Sequence, residues 1–232
     1  MNYSVSEEDY IKAIYHLQRD QQTVSTNALA AELKTRPASV TDMLKKLKTK
    51  KLLHYRPYQG FKLNPEGRKV ALGIVRRHRL WEYFLAEKLK FGWNEVHDVA
   101  EELEHVGSRK LIDRLDEYLG FPRFDPHGDP IPDNAGKMHV KNQVKLTELP
   151  LNITARVSGV ADQSADMLEL LKHRHIAIGT NIEVIKKFDF DQSLEIKTGP
   201  GIFFSISKQA AQNIFVHYEL EKEFRCIAKR SA

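Results

Sequence analysis

The first third of this chain has three short segments with helical periodicity, followed by two extended segments around a glycine. Apolar residues recur at helical spacing over about residues 6–19, where Ser6 followed by Asp9 predicts a capping box. A second short helix follows, and Pro37 fits the first position of a third. Residues 53–63 then predict a β-hairpin. This order of elements restricts the first domain to a small three-helix fold that ends in a hairpin.

The third helix combines an apolar inner face with a strongly basic outer face. Between Lys34 and Arg56 the chain has eight basic residues and one acid. A winged helix-turn-helix has this order of elements: two helices, a basic third helix and a hairpin. In that fold the third helix is the recognition helix, which enters the major groove of DNA. Cationic side chains neutralise phosphates there, and short polar side chains near the helix start contact base edges. A small three-helix domain for protein contacts is the alternative. The predicted DNA-binding residues are Arg36, Ser39, Thr41, Asp42, Lys45 and Lys46.

Composition limits the class of protein. The 232 residues are 41% hydrophobic and 29% charged, which is typical of a soluble globular protein with two or three small domains. No apolar run approaches the roughly 20 residues of a membrane span, and the start MNYSVSEEDY lacks the features of a signal peptide. A single cysteine, Cys226, excludes a disulfide framework and a multi-cysteine zinc site. We therefore expect a cytoplasmic protein without a membrane partner.

Three further helices are predicted after the hairpin. The pair Asn64-Pro65 caps a long helix that reaches about Leu89, and Asn94 opens the next. Ser108 caps a third helix, which ends at Gly120. These helices carry the acidic part of the chain, which follows the basic part.

The acidic part has histidines at helical spacing. Between Glu95 and Glu117 eight acids stand against three bases. Carboxylates that share a helix face repel each other, and a divalent cation relieves that repulsion. Nitrogen and oxygen donors together suit first-row transition metals. Two imidazoles and two carboxylates are predicted on one face: His97, Glu101, Glu104 and His105.

Other candidate ligands lie elsewhere in the chain. His78 and Glu82 are four residues apart on the preceding helix, and Asp9 lies at the start of the first helix. Taken singly, these residues are more often parts of solvated faces or acids favoured by a helix dipole. Periodicity alone therefore leaves a metal site and an ordinary polar interface both open.

The last third of the chain differs in composition from the rest. Residues 121–150 are rich in Pro, Gly and Asp without periodicity, which predicts a linker or an extended segment. Beyond it, a β-rich domain of SH3-like barrel size is predicted. Its strands are Leu151–Ser158, Asn181–Phe188, Leu194–Lys197 and Ile202–Ile206, with helices near Asp166–His173 and Lys208–Asn213.

The predicted fold is mainly α with a β-rich C-terminal domain. We expect a winged helix-turn-helix over residues 1–72 and a helical metal-binding and dimerisation domain over 73–140. An SH3-like domain follows over 150–232.

Several segments together resemble one known family. They read EDYIKAIYHL, VTDMLKKL, RRHRLWEYFL, EVHDVAEELEHVGS, HGDPIP, HIAIGTNIEVI and AAQNIFV. In these segments the chain is similar to the diphtheria toxin repressor family of iron- and manganese-dependent regulators. The resemblance covers nearly the whole chain and is strongest through about Pro132.

The resemblance implies a homodimer that binds a palindromic operator in double-stranded DNA when loaded with Fe(II) or Mn(II). In that state it represses metal-uptake genes. Matched position by position, the primary metal site consists of Asp9, Glu101, Glu104 and His105. The ancillary site consists of His78, Glu82 and His97. A further ancillary ligand from the third domain has three candidates, Asp162, Gln163 and Asp166.

Departures from the family pattern bear on the metal. Iron-type members carry Met in place of Asp9 and Cys in place of Glu101, so this chain replaces soft sulfur donors with oxygen, which favours manganese. The manganese-type pattern has Glu where this chain has Lys12, and an ammonium there would repel a second cation. We therefore expect one metal ion in the primary site and a separate ancillary site, with Mn(II) favoured and Fe(II) possible.

Three other functions remain open. A metal-dependent hydrolase could use the same cluster, although no additional base motif is visible and we expect no enzyme. A winged-helix regulator could use the cluster as a polar dimer interface without sensing metal. An interaction scaffold fits the basic third helix least well.

Overall fold

A computed structural model describes residues 3–20, 23–56, 60–139 and 141–218. The tip of the predicted hairpin, 57–59, and the end of the predicted third domain, 219–232, lie outside the described residues. None of the described helices is long and apolar enough to cross a membrane. The chain divides into two compact units. The first unit is Met1–Lys90, Val96–Arg123 and Ile131–His139, and the second is Phe91–Glu95, Phe124–Pro130 and Val140–Ala232.

The winged helix-turn-helix begins the first unit. It comprises α1 (Val5–Asp20), α2 (Thr26–Glu32), α3 (Pro37–Thr49), β1 (Leu53–Arg56) and β2 (Gly60–Leu63). The two strands pair antiparallel, as predicted for the hairpin. Apolar faces of the three helices bury a common core, which the hairpin closes with Phe61. At Gly60 (φ +91°) a Cβ atom would lie 2.4 Å from the carbonyl oxygen of Val24, so glycine is required where β2 meets the segment before α2.

The capping box of α1 differs from the predicted one. The Ser4 hydroxyl accepts a hydrogen bond from the Glu7 amide at 3.3 Å, and the Glu7 carboxylate accepts one from the Ser4 amide at 2.9 Å. The prediction of Ser6 with Asp9 is therefore wrong. A glutamate at the third helical position reaches back to the cap residue, whereas an aspartate is one methylene shorter. As a consequence, the Asp9 side chain is not used in capping.

Three helices complete the first unit: α4 (Pro65–Glu87), α5 (Val96–Leu103) and α6 (Arg109–Tyr118). Asn64 and Ser108 cap α4 and α6, as the sequence predicts. Residue 72, the predicted boundary between the first two domains, lies inside α4, so one continuous helix belongs to both. Ala71 and Ile74 of α4 pack in the winged-helix core, and Leu80 packs against α6.

A buried ion pair ties α4 to α6. Arg76 donates a 2.7 Å hydrogen bond to Asp116 and a 2.8 Å bond to the carbonyl oxygen of Pro132. Both side chains are less than 10% exposed, so the charges compensate each other away from water. The ion pair holds α6 and the segment at Pro132 against the middle of α4.

The second unit is built on an antiparallel sheet of six strands in the order β3-β8-β4-β5-β6-β7. The strands are β3 (Val144–Lys145), β4 (Thr154–Val160), β5 (Asn181–Lys187), β6 (Leu194–Gly199), β7 (Ile202–Ile206) and β8 (Ile214–His217). A 3-10 turn (Leu146–Glu148), α7 (Ala165–His173) and α8 (Lys208–Gln212) connect them. Their apolar side chains form one core.

The prediction of the β-rich domain is confirmed, but its edges differ. The strand predicted from Leu151 begins at Thr154, because Asn152 takes a positive φ of 60° and forms a turn. Strands β3 and β8 were not predicted. In the predicted linker, the Asp125 carboxylate accepts hydrogen bonds from the amides of His127 and Asp129, so part of that segment is an ordered turn of the second unit.

Candidate functional site

A first cluster of candidate metal ligands joins α1 to the turn after α5. Asp9 comes from α1, and Glu104 and His105 directly follow α5. His105 Nε2 lies 3.2 Å from Asp9 Oδ1 and 3.8 Å from Glu104 Oε1. One donor atom from each of the three residues lies within 4.8 Å of the others. The structure thus brings together three of the four residues predicted for the primary site.

Lys12 occupies the space between Glu101 and Glu104. Its Nζ atom donates hydrogen bonds to Glu101 Oε1 at 2.9 Å and to Glu104 Oε2 at 2.8 Å. Glu101, the fourth predicted primary ligand, therefore faces Lys12, and its side chain is half exposed. It also lies 3.7 Å from His97. The Lys12 ammonium already neutralises the Glu101 and Glu104 carboxylates, which a second metal ion in this cluster would need as ligands.

Burial and charge act on these groups in opposite directions. Desolvation raises the pKa of Asp9, and electrostatic interactions with His105 and Lys12 only partly oppose it. Desolvation likewise disfavours the charged form of Glu104, but the hydrogen bond from His78 and the charge of Lys12 lower its pKa overall. Burial opposes the charge on Lys12, yet Glu104 and Glu101 raise its pKa. Asp9 differs from Glu104 in having a raised pKa, so a bound cation would favour its ionised form.

A second cluster lies between α4 and α5. His78 Nε2 is 3.1 Å from Glu82 Oε1 and 3.2 Å from His97 Nδ1. Glu82 is 2% exposed, whereas the His97 side chain is nearly half exposed. These are the three residues predicted for the ancillary site, and their donor atoms also lie within 4.8 Å of one another.

His78 connects the two clusters. Its Nδ1 atom lies 2.6 Å from Glu104 Oε2, while its Nε2 faces the second cluster. Burial disfavours the imidazolium, but hydrogen bonds to Glu104 and Glu82 outweigh it and raise the pKa of His78 to about 9. A metal ion bound at Nε2 would displace that proton and leave the Nδ1 hydrogen bond intact.

Both clusters fit a divalent metal ion. Donor atoms about 2.1 Å from one metal ion lie roughly 3.0–3.4 Å apart. Each cluster has a donor pair in this range, at 3.2 Å in the first and 3.1 Å in the second, and a wider pair at 3.8 Å and 3.5 Å that a bound ion would draw closer. Glu104 is fully buried, and its Oε1 atom lies 2.7 Å from Lys12 Nζ and 3.8 Å from His105 Nε2, so a metal ion bound to this oxygen would compete with the ammonium.

Two residues that support the first cluster were not predicted. Glu8 Oε2 lies 2.8 Å from His105 Nδ1, and Glu8 Oε1 accepts a 2.6 Å hydrogen bond from Arg77. Arg77 also donates to the carbonyl oxygen of Glu104. Glu8 precedes Asp9 in a run of three acids, so the sequence alone does not distinguish it from a solvated helix-start acid.

The α3 helix presents a basic, exposed surface. Two contacts on this surface are local: Lys45 pairs with Asp42 at 3.0 Å, and the Thr41 hydroxyl donates to the carbonyl oxygen of Pro37 at 3.0 Å. The Thr41 hydroxyl can still accept a bond, but its proton is engaged. All of the predicted DNA-binding residues are exposed on α3 or at its start: Arg36, Ser39, Thr41, Asp42, Lys45 and Lys46.

The three candidates from the predicted third domain lie around the start of α7 in the second unit. Asp162 accepts a hydrogen bond from the Ser164 amide at 2.9 Å. Gln163 donates to Asp129 at 3.3 Å. Asp166 lies in the first turn of α7, where the helix dipole favours an acid. Their role as metal ligands stays a prediction.

Family models match three consecutive parts of the chain. The N-terminal DNA-binding domain of iron-dependent repressors matches residues 3–61, and the metal-binding and dimerisation domain of the same repressors matches 64–133. The FeoA domain model matches residues 144–218. The matched ranges include both clusters and the α3 helix.

Individual relatives and solved structures agree with these matches. The diphtheria toxin repressor of Corynebacterium glutamicum is 27% identical over 191 residues, 78% of this chain and 83% of that protein. The HTH-type transcriptional regulator MntR of Oceanobacillus iheyensis is 36% identical over 120 residues, 52% of this chain and 81% of that protein. A manganese-dependent transcriptional repressor solved in complex with manganese is 34% identical, with a TM-score of 0.79, and the match covers 90% of this chain and 98% of that structure.

Proposed function

Because this chain belongs to the diphtheria toxin repressor family of metal-dependent transcriptional repressors, we propose that it represses transcription by binding operator DNA as a homodimer when loaded with Mn(II). The observation that carries the proposal is the first cluster. Asp9 belongs to the first helix of the DNA-binding fold, whereas Glu104 and His105 belong to the helical part that follows it.

Asp9, Glu104 and His105 would hold the primary metal ion, and His78, Glu82 and His97 the ancillary one. Glu101 is proposed as a fourth primary ligand, which requires its side chain to exchange Lys12 for the metal. A bound divalent cation supplies positive charge and directional bonds between these donors. Asp9 then fixes α1 to the end of α5, and this restricts where each recognition helix lies within a dimer.

Manganese is proposed as the physiological metal, with Fe(II) as the alternative. The first cluster offers carboxylate oxygen and imidazole nitrogen donors, and oxygen-rich ligand sets suit Mn(II). Lys12 between Glu101 and Glu104 supports one metal ion, not two, in the primary site. Since the proposed target is DNA, we place the protein in the cytoplasm.

The other functions are less well supported. The family consists of transcriptional repressors and not enzymes, which disfavours a metal-dependent hydrolase. A regulator that does not sense metal would not need the donor atoms of α1 and the α5 turn to converge.

The metal switch predicts a difference in DNA affinity. We expect Mn(II) to raise the affinity for a duplex selected from a random pool by about 5–150-fold over the chelator-treated protein, the usual range of allosteric coupling. The measurement is fluorescence anisotropy at constant salt with Mn(II), Fe(II) under anaerobic conditions, or Zn(II). A random duplex is the control. Equal affinity with and without metal would contradict the switch.

The proposed dimer surface is on α6. Leu111 and Tyr118 are seven residues apart on one helix face, and both are substantially exposed, as is Phe121 just beyond. Exposed large apolar side chains at this spacing are typical of a helix that packs against a partner.

Replacing Tyr118 with arginine is expected to shift the protein from dimer to monomer. Burying a charge without a partner at an apolar interface costs about 2 kcal/mol or more. Sedimentation equilibrium should then give the 26.8 kDa of one chain instead of twice that mass. Phe190→Arg in the second unit, where Phe190 is fully exposed, is the matched control. A dimer that survives Tyr118→Arg unchanged would place the interface elsewhere.

A further inference from the structure

The first turn of α1 contacts both the end of α3 and the first cluster. Glu7 Oε2 accepts a 2.7 Å hydrogen bond from Lys50 Nζ, and Lys50 is the residue that caps the end of α3. Two residues further along the same turn, Asp9 Oδ1 lies 3.2 Å from His105 Nε2. One helical turn therefore carries a contact to the proposed recognition helix and a contact to the proposed metal site.

Two residues at the start of the chain hold the Lys50 side chain. Besides the ion pair with Glu7, the Nζ atom lies 5.2 Å from the centre of the Tyr3 ring, within the range of a cation–π interaction. Only 10% of the Glu7 side chain and 31% of the Lys50 side chain are exposed, so water screens this pair less than a surface pair. The Lys50 amide donates to the carbonyl oxygen of Lys46 at 3.0 Å, which joins the held side chain to the last turn of α3.

Apolar packing places the later turns of α1 more firmly than the first. The first buried apolar residue of the helix is Tyr10, followed by Ile11 and Ile14, whereas Val5 is 55% exposed. The position of the first turn therefore depends mainly on its polar contacts. A change in one of these contacts is passed to the others because the turn is a single hydrogen-bonded unit.

The proposed metal ion would fix this turn through Asp9, and Glu7 connects the same turn to α3. We propose that Glu7 is a positioning residue whose ion pair with Lys50 transmits metal binding at Asp9 to the end of α3. The proposal rests on the proposed metal switch and names one contact through which that switch acts within the DNA-binding domain. Glu7 is not proposed as a ligand, because its Oε2 atom accepts hydrogen bonds from Lys50 and from the Ser4 amide.

The test compares two DNA affinities for each variant of the full chain. Fluorescence anisotropy gives the affinity for the selected duplex with Mn(II) and after chelator treatment, and the ratio of the two measures the coupling between metal and DNA. The variants are Glu7→Gln, Lys50→Gln and the two together. Mn(II) affinity in the absence of DNA is measured separately by equilibrium dialysis.

Two control variants each remove one neighbouring feature. Ser4→Ala removes the hydroxyl that accepts a hydrogen bond from the Glu7 amide but leaves the ion pair with Lys50. Lys51→Gln removes an exposed cation next to Lys50. A phosphate contact that is lost in both states lowers both affinities alike at constant salt, so the ratio is unchanged.

Each single variant should lower the ratio by about 2–30-fold, the usual effect of residues that lie between two coupled sites. The double variant should lower it no further, because both substitutions break the same contact. Mn(II) affinity without DNA should stay within about twofold, as should the ratio for both controls, since these sites share no partner with the ion pair's effect on α3.

The outcomes separate this proposal from the metal switch itself. An ion pair that only stabilises the fold would leave the ratio unchanged in both single variants, and that result overturns the proposal. An equal loss in Ser4→Ala would assign the effect to the helix cap and overturn it as well. A ratio of one in the unmodified protein contradicts the metal switch and this proposal with it. If Glu7→Gln does not fold, Lys50→Gln, at the more exposed end of the pair, decides between these outcomes.

Discussion

Replacing Glu104 with glutamine is expected to weaken Mn(II) binding by more than about a hundredfold, beyond the effect of losing a residue that only orients a ligand. Glu104 is fully buried and contacts Lys12 and His78 as well as the proposed metal position. Glutamine keeps the shape of the side chain but removes its negative charge. The site then holds two cationic groups and one carboxylate fewer, so a divalent cation is strongly disfavoured.

The same substitution should also destabilise the protein. Removing one partner of a buried ion pair leaves the other charges uncompensated and typically costs about 3–5 kcal/mol. Urea unfolding of the metal-free protein measures this free energy, and Mn(II) binding is compared only under conditions in which the variant is folded. Glu102→Gln, which removes an exposed negative charge two residues away in the chain, is the matched control. Mn(II) affinity within threefold of the unmodified protein would show that Glu104 is not a ligand.

Replacing both Lys45 and Lys46 with glutamine is expected to lower DNA affinity by the order of a thousandfold at 0.15 M salt. Both side chains are exposed on α3, and a dimer presents four such lysines. Each phosphate contact that is lost reduces the slope of log affinity against log salt by about 0.9, and together the four contacts account for a change of about 3 to 4. The preference for the selected duplex over random DNA should decrease much less, because phosphate contacts carry no sequence information.

Anisotropy titrations between 50 and 300 mM salt measure both the affinity and the slope. Replacing Lys172 and Lys208, two exposed lysines of the second unit, makes the same change in net charge away from α3. If that control lowers the slope as much as the α3 variant does, the effect reflects overall charge and the predicted recognition surface is wrong. Mn(II) binding of the α3 variant should be unaffected, since α3 contributes no residue to either cluster.

The winged helix-turn-helix could be predicted because its signals are local. Helical spacing of apolar residues and Pro37 at the start of α3 each act within a few residues. The positive φ of Gly60 is also local, although its close approach to Val24 is not. The β-rich unit was predicted less completely, because β8 pairs with β3 and β4 across long stretches of chain. Two- and four-residue strands of this kind carry little periodic signal of their own.

The stripe of histidines and acids that predicted a metal site was determined by sequence, and the family resemblance implied its division into two sites, but which side chains contact one another was decided by tertiary structure. Periodicity placed His97, Glu101, Glu104 and His105 on one helix face, yet α5 ends at Leu103. His105 therefore turns towards Asp9 and Glu8 of α1, while His97 stays on α5 and meets His78 and Glu82 of α4. Spacing along one helix carries no information about which other helices face it. The same limit applies to Lys12, whose effect on the site depends on two glutamates about ninety residues away.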